Sequence, residues 1–201
     1  MCDTVSGDVK FGRAAAPEPY DRNLRARGLQ WMEVPLEDGL KWLVEHQAPD
    51  GHWDADGFRS HCPDAGPEAC DGTGVATEGV GVTGLALLAL LRDGHTTKSG
   101  RHRDAVKRAA KWLRREQDPD NGRLGSAESP RHFHNHAIAT LALCELYGVT
   151  RSPLFKRCCQ KAIQYIGRVR NADGGWSDSS PSGDVMSAAA TGWAVRALLG
   201  A

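Results

Sequence analysis

Apolar residues recur along this chain with helical spacing, in two alternating kinds of segment. In the first kind they occupy a single face. Leu36, Leu40, Leu43 and Val44 form one stripe, and Val106, Ala109, Ala110 and Leu113 form another, with Lys107, Arg108, Lys111, Arg114 and Arg115 opposite. Phe155, Cys158, Ala162, Ile163 and Ile166 form a third, begun by Pro153, whose fixed φ suits a first helical turn. In the second kind, over 80–91, 137–147 and 188–199, residues are apolar or small almost all round, as in helices buried on every side. The pattern predicts an all-α protein in which amphipathic outer helices alternate with buried inner ones.

The segments are copies of one another. GLKWLVEHQAPDGHW at 39–53, AAKWLRREQDPDNGRL at 109–124 and AIQYIGRVRNADGGW at 162–176 superimpose Trp42, Trp112 and Tyr165, then Asp50, Asp120 and Asp173 ahead of a glycine. TGLALLALL at 83–91, ATLALCELY at 139–147 and TGWAVRALL at 191–199 form the second repeated unit. Repeats of this length indicate one supersecondary unit used three times. Each outer helix runs into an Asp/Pro/Gly turn, where glycine supplies the backbone a helix stop requires.

KWLVEHQAPDGHW and AIQYIGRVRNADGGW resemble the glutamine–tryptophan repeats of the squalene cyclase and protein prenyltransferase superfamily, and HNHAIATLALCELYG followed by DGGW is similar to bacterial prenyltransferase and squalene-oxidase repeat proteins. The resemblance covers about 34–201. It implies an α/α toroid of outer and inner helices, in which the repeat's Gln and Trp tie the end of an outer helix to the start of the next inner one. Gln47 with Trp53 keep the pair, Gln117 is followed by Leu124, and Trp176 is preceded by Arg170. A complete toroid of this family has about six helix pairs, so three imply a partial ring: half a toroid, a fragment, or a subunit with an edge to cover. Residues 1–33, with AAAPEPYDRNLRARG, show no period and read as a flexible tail before the repeat domain at 34–201.

The resemblance also sets expectations about chemistry. Class II terpene cyclases protonate an alkene with an aspartate of an acidic motif, and GDVMSAAATGW puts Ser187 where that acid would fall, leaving Asp184 nearby. A hydroxyl is no substitute for such an acid. The Asp, Cys and His that hold zinc in protein prenyltransferases have no counterpart motif here. The primary expectation is therefore a non-catalytic module that binds a protein partner or associates with another copy or domain. The alternative is an enzyme acting on an isoprenoid lipid, although aromatic residues, the usual lining of such a cavity, make up only 6% of the chain.

Inner helices of equivalent modules start at the same end, so the residues before them converge on one rim. These are Thr77, Glu78 and Gly79; His134, Asn135 and His136; and the stretch from Asp184 to Ser187. Glu78, His134, His136 and Asp184 are the candidate catalytic groups, with helix capping as the competing role. Imidazoles suit a divalent metal, which makes His134 and His136, within the alternating triplet His132, His134 and His136, candidate zinc ligands. A second candidate zinc site lies in the acidic segment 48–78, where Cys62 and Cys70 stand near His52 and His61, although their spacing matches no zinc knuckle. Cys158 and Cys159 read as core thiols.

Charge and composition remove other classes. Lys+Arg and Asp+Glu balance at 25 each, so no net field favours a nucleic acid. The uncharged stretch 79–91 falls short of the roughly 20 residues that cross a bilayer. Six cysteines in 201 residues are too sparse for a disulfide scaffold, and the N-terminus lacks a basic-then-apolar leader, so a cytoplasmic chain with reduced thiols is expected.

Overall fold

The computed structural model describes residues 28–64, 70–179 and 186–200. All regular elements there are helices, in the order α1 (Glu33–Glu45), α2 (Gly79–Arg92), α3 (Arg103–Arg115), α4 (His132–Thr150), α5 (Pro153–Arg168) and α6 (Ala188–Leu199), with short 3-10 turns at Gln30–Met32, Phe58–His61 and Ala76–Glu78. The predicted all-α class holds. Most of the segment read as a tail lies outside the described residues, apart from 28–33.

Amphipathic α1, α3 and α5 are the outer elements, and α2, α4 and α6 pack side by side, with α4 in the middle. The central helix is buried around nearly its whole circumference, from Phe133 and Ala137 through Leu141, Leu143 and Leu146. It begins at His132, five residues before the stripe 137–147, because no proline or glycine interrupts 132–147 and Arg131 stands as its N-cap. The histidine triplet is consequently helical rather than extended. At about 100° per residue, His132 and His136 share a side and His134 points away from them.

Small residues let α2 and α4 approach closely. A Cβ on Gly84 would stand 3.0 Å from both the Cα and the backbone nitrogen of Ala139, and one on Gly81 would strike the Asn135 side chain. Leu87 and Leu90 of α2 join Leu143 and Leu146 of α4 in a core shared with Val106, Ala109 and Leu113 of α3. A smaller cluster, Phe133, Tyr165, Ile166, Trp176, Ala190, Ala194 and Ala197, joins α6 to α4 and α5. Cys158 and Cys159 are buried, and burial pushes the Cys158 thiol up to about 12, the behaviour of a core thiol.

The hydrogen bonds of the turns explain the repeated sequence. Trp53 donates its backbone N–H to Thr83 Oγ1 at 3.0 Å and its indole N–H to the Leu43 carbonyl at 2.6 Å. Trp176 does the same with Thr191 (3.0 Å) and the Ile166 carbonyl (2.9 Å). Tryptophan thus ties an outer helix to the following inner helix, as the resemblance implies. Glutamine acts elsewhere: Gln47 donates to the Gly51 and Ala105 carbonyls, and Gln117 to the Gly122 and Cys158 carbonyls, so each glutamine grips the next outer helix. The turn glycines lie against the same helix. Gly51 (φ 110°) and Gly122 (φ 80°) have left-handed backbones, and a Cβ at either would overlap the backbone of Arg108 or Lys161.

Candidate functional site

In the second module, Leu124 stands where the other two have tryptophan, and its N–H goes to the Nδ1 of His136 at 2.9 Å. Imidazole therefore accepts the bond that Thr83 and Thr191 accept in the other modules. His136, not Ala139, is the structural counterpart of Thr83, and the second inner unit is shifted three residues from the match of TGLALLALL with ATLALCELY. Nε2 of His136 lies 3.1 Å from the Ala162 carbonyl, to which it donates, and 3.3 Å from Thr140 Oγ1. Complete burial pushes its pKa down to about 3. With both ring nitrogens so used, the side chain stays neutral and joins α4 to α5 and to the preceding turn.

His134 faces the other way, toward the rim. Its Nδ1 is 3.6 Å from Asp178 Oδ1, its ring meets Trp193 edge-on at 6.4 Å, and both polar atoms of the pair are buried without a hydrogen bond. Burial lowers the His134 pKa, Arg131 lowers it further, and Asp178 and Glu78 oppose the shift. Arg131 in turn lies 3.7 Å from Glu78, and the Asn135 amide reaches the Thr77 carbonyl at 3.5 Å. Glu78 and His134 are thus brought to one end of the inner helices. A neutral imidazole beside a carboxylate can exchange a proton with a group placed against it. His136 is not part of this cluster, and Asp184 lies outside the described residues. Asp178 went unnoticed in the sequence because it follows the DGGW turn and looks like loop polarity; its register opposite the start of α4 is tertiary information.

Ser187 is the N-cap of α6. Its hydroxyl accepts the Ala190 N–H at 3.2 Å, the usual work of serine at this position. The residue at the cyclase acid's expected place is therefore engaged in holding a helix end.

A third cluster gathers Cys62 and Cys70 with His46, the C-cap of α1, and the donor atoms of all three lie within 4.8 Å of one another. The His46 ring is buried and stacks on Trp42 at 4.0 Å, 19° from parallel, with Phe58 closing its flank. Nδ1 lies 2.7 Å from the Trp42 carbonyl, to which its N–H donates, which leaves Nε2 to present a lone pair. The backbone N–H of Cys70, then that of Asp64 and the His46 side chain, pull the Cys62 thiol down to about 7, although loss of water around it pushes the other way. The Trp42 indole N–H reaches Cys70 Sγ at 3.3 Å, and the Cys70 N–H reaches Cys62 Sγ at 3.4 Å. Sequence reading found the two cysteines but not the histidine. One signal was present: the residue before the repeat's Gln position, which is Arg170 in the third module, is His46, Glu116 and Val169 in turn, so this histidine is peculiar to the module that carries the long loop.

Neither a protein-family profile nor a solved structure matches the chain. A squalene–hopene cyclase of Bradyrhizobium diazoefficiens is 26% identical over 199 residues, covering 90% of this chain and 28% of the cyclase. The chain therefore spans less than a third of the length of that enzyme, and the likeness, distant but extended along most of the sequence, agrees with the glutamine–tryptophan turns seen in the structure. The protein is an all-α, cyclase-like helical module with distant similarity to squalene–hopene cyclase.

Proposed function

We propose that the chain is a non-catalytic α/α repeat module of the terpenoid cyclase type that completes a ring by joining another copy end to end. The observation that carries this reading is the exposed face of α1 together with the open third turn. Inside the chain, each turn grips the outer helix that follows it. At the third turn, Gly174 keeps the left-handed backbone (φ 93°), yet a Cβ there would meet nothing nearer than the Arg170 side chain at 4.0 Å. At the other end, α1 bares the face that its counterpart buries. Pro35, Leu36 and Gly39 are exposed, whereas the equivalent Ala105, Val106 and Ala109 of α3 are 4% exposed or less. The inner helix α6 likewise leaves Val195, Leu198 and Leu199 open. Exposed apolar surface of this extent favours a covering partner.

Charge says which partner. In the first joint, Arg108 of the gripped helix meets the Gln47 side chain, and in the second Lys161 donates to the Pro119 carbonyl of the gripping turn at 2.7 Å. At the open joint the counterpart of Gln47 is the cation Arg170, and the α1 counterpart of Arg108 is the anion Asp38; both are exposed. The pair is complementary between two copies of this chain. Light scattering of the wild type is expected to give a mass above the 21.7 kDa of one chain. Asp38→Arg and Arg170→Glu should each weaken association about tenfold, and the double exchange should restore it. A wild type that stays monomeric at every concentration, or a double exchange no better than the singles, refutes the reading.

One observation favours a second reading. Glu78, His134 and Asp178 sit together at the rim, an arrangement that suits an enzyme acting on an isoprenoid lipid. Squalene, the substrate in the relative's name, is the probe. Unchanged squalene supports the non-catalytic module, whereas a cyclised product lost in His134→Ala supports the enzyme.

A further inference from the structure

The cluster at the end of α1 has the composition and setting of a metal site. Its donors are two sulfurs and one imidazole nitrogen, the set preferred by zinc over magnesium or calcium. In a tetrahedral site with Zn–S of about 2.3 Å and Zn–N of about 2.0 Å, the donors stand about 3.5–3.8 Å apart. A spread of up to 4.8 Å closes onto an ion with shifts of under about 1 Å. His46 Nε2 is buried, has no nitrogen or oxygen partner, and belongs to a side chain only 2% exposed. Native proteins rarely strand such an atom. Its ring is also oriented as a ligand's is: Nδ1–H is held by the Trp42 carbonyl, the carbonyl–histidine arrangement that fixes the tautomer in metal centres. The N–H donors from Trp42 and Cys70 to the two sulfurs complete an outer shell that stabilises thiolate charge.

The comparison among modules points the same way. Between the turn and the inner helix lie residues 54–78 in the first module, 125–131 in the second and 177–187 in the third. The two cysteines sit on the extra length of the first, and the positions equivalent to His46 are Glu116 and Val169. All three donors therefore occur together in one module only.

We propose that His46, Cys62 and Cys70 are the protein ligands of a zinc ion that fastens the 54–78 loop to the C-terminal end of α1. Among the described residues no fourth side chain joins them. The assignment is independent of the end-to-end association above.

Elemental analysis of the full chain purified under reducing conditions should find one zinc per chain. Cobalt(II) in place of zinc should give the visible bands of a tetrahedral ion and a near-ultraviolet thiolate-to-metal band. Cys62→Ser and Cys70→Ser, at half-buried positions where folding is verified by circular dichroism, should lower zinc affinity at least tenfold and remove the thiolate band, while His61→Ala on the same loop should leave both unchanged. Trp42→Phe keeps the stacked ring but removes the N–H to sulfur, and should weaken zinc about tenfold. As a second readout, trypsin cleavage after the exposed Arg59 should slow at least tenfold when zinc is added. Absence of zinc with no cobalt thiolate band after reduction overturns the proposal, as does binding that persists in the two serine variants or uptake of copper(I) without zinc.

Discussion

At neutral pH the imidazole of His136 is held uncharged by burial, and this gives the fold a pH dependence of definite sign. The native side chain resists protonation down to about 3, while the same residue in an unfolded chain takes a proton near 6.5. Below about 6.5 the unfolded state binds the extra proton, so stability falls with falling pH through the window between those values and is unaffected above it. At pH 5 the loss from this residue alone is about 2 kcal/mol. Depressed His102, His132 and His134 add to it in the same direction. Thermal melts from pH 8 to pH 4 should show the decline. His136→Gln, though less stable at pH 7, should decline less steeply; an equal slope would remove His136 as a source. From sequence this residue is a candidate ligand or acid. Its actual work is invisible there because the bond it accepts comes from Leu124, at a position where the tryptophan signature has been lost.

The elements themselves were largely legible. One-sided and all-round apolar patterns separate α1, α3 and α5 from α2, α4 and α6, because burial on one face or on all faces imposes different compositions on a helix. What the pattern hid was register: TGLALLALL can be laid against ATLALCELY or, three residues earlier, against HAIATLALC, and only the hydrogen bonds choose the second. Gly84 and Gly81 let α2 approach α4 closely in this arrangement. Gly84→Val should push the helices apart and cost about 1–3 kcal/mol, read as a drop in the urea midpoint. A neutral outcome would mean that the contact at Ala139 yields freely. The sites were less legible than the helices. Glu78 and His134 follow from module equivalence, but Asp178 and His46 depend on how loops fold back, which no periodicity encodes.

Across the molecule, the inner helices are also joined near their C-terminal ends by charge. Arg92 of α2 makes a two-point contact with Glu145 of α4, its Nε–H donating at 3.0 Å, and the carboxylate is nearly buried while the guanidinium is half-exposed. Arg92→Ala strands that carboxylate. Because water reaches the arginine's place, the cost is discounted to about 1–3 kcal/mol in chemical denaturation, and Arg92→Met with Glu145→Leu should recover most of it. Equal losses in the single and double variants would show that packing, not charge, dominates there.

The turn glycines have one more implication. Gly51 and Gly122 each press on the outer helix that follows and never on the one before, so the joint has a direction, a hook at one end and an eye at the other. Contacts of that kind between identical chains are heterologous, each joint lacking a two-fold axis of its own. Were copies to associate through such a joint, as proposed, an angle between successive copies that divides a full circle would stop growth at a fixed number of chains. If it does not, the same joint propagates as a helical filament. The average mass then rises with concentration instead of reaching a plateau, and a chain altered at Arg170 acts as a terminator, capping one end of every filament while leaving the other free to grow.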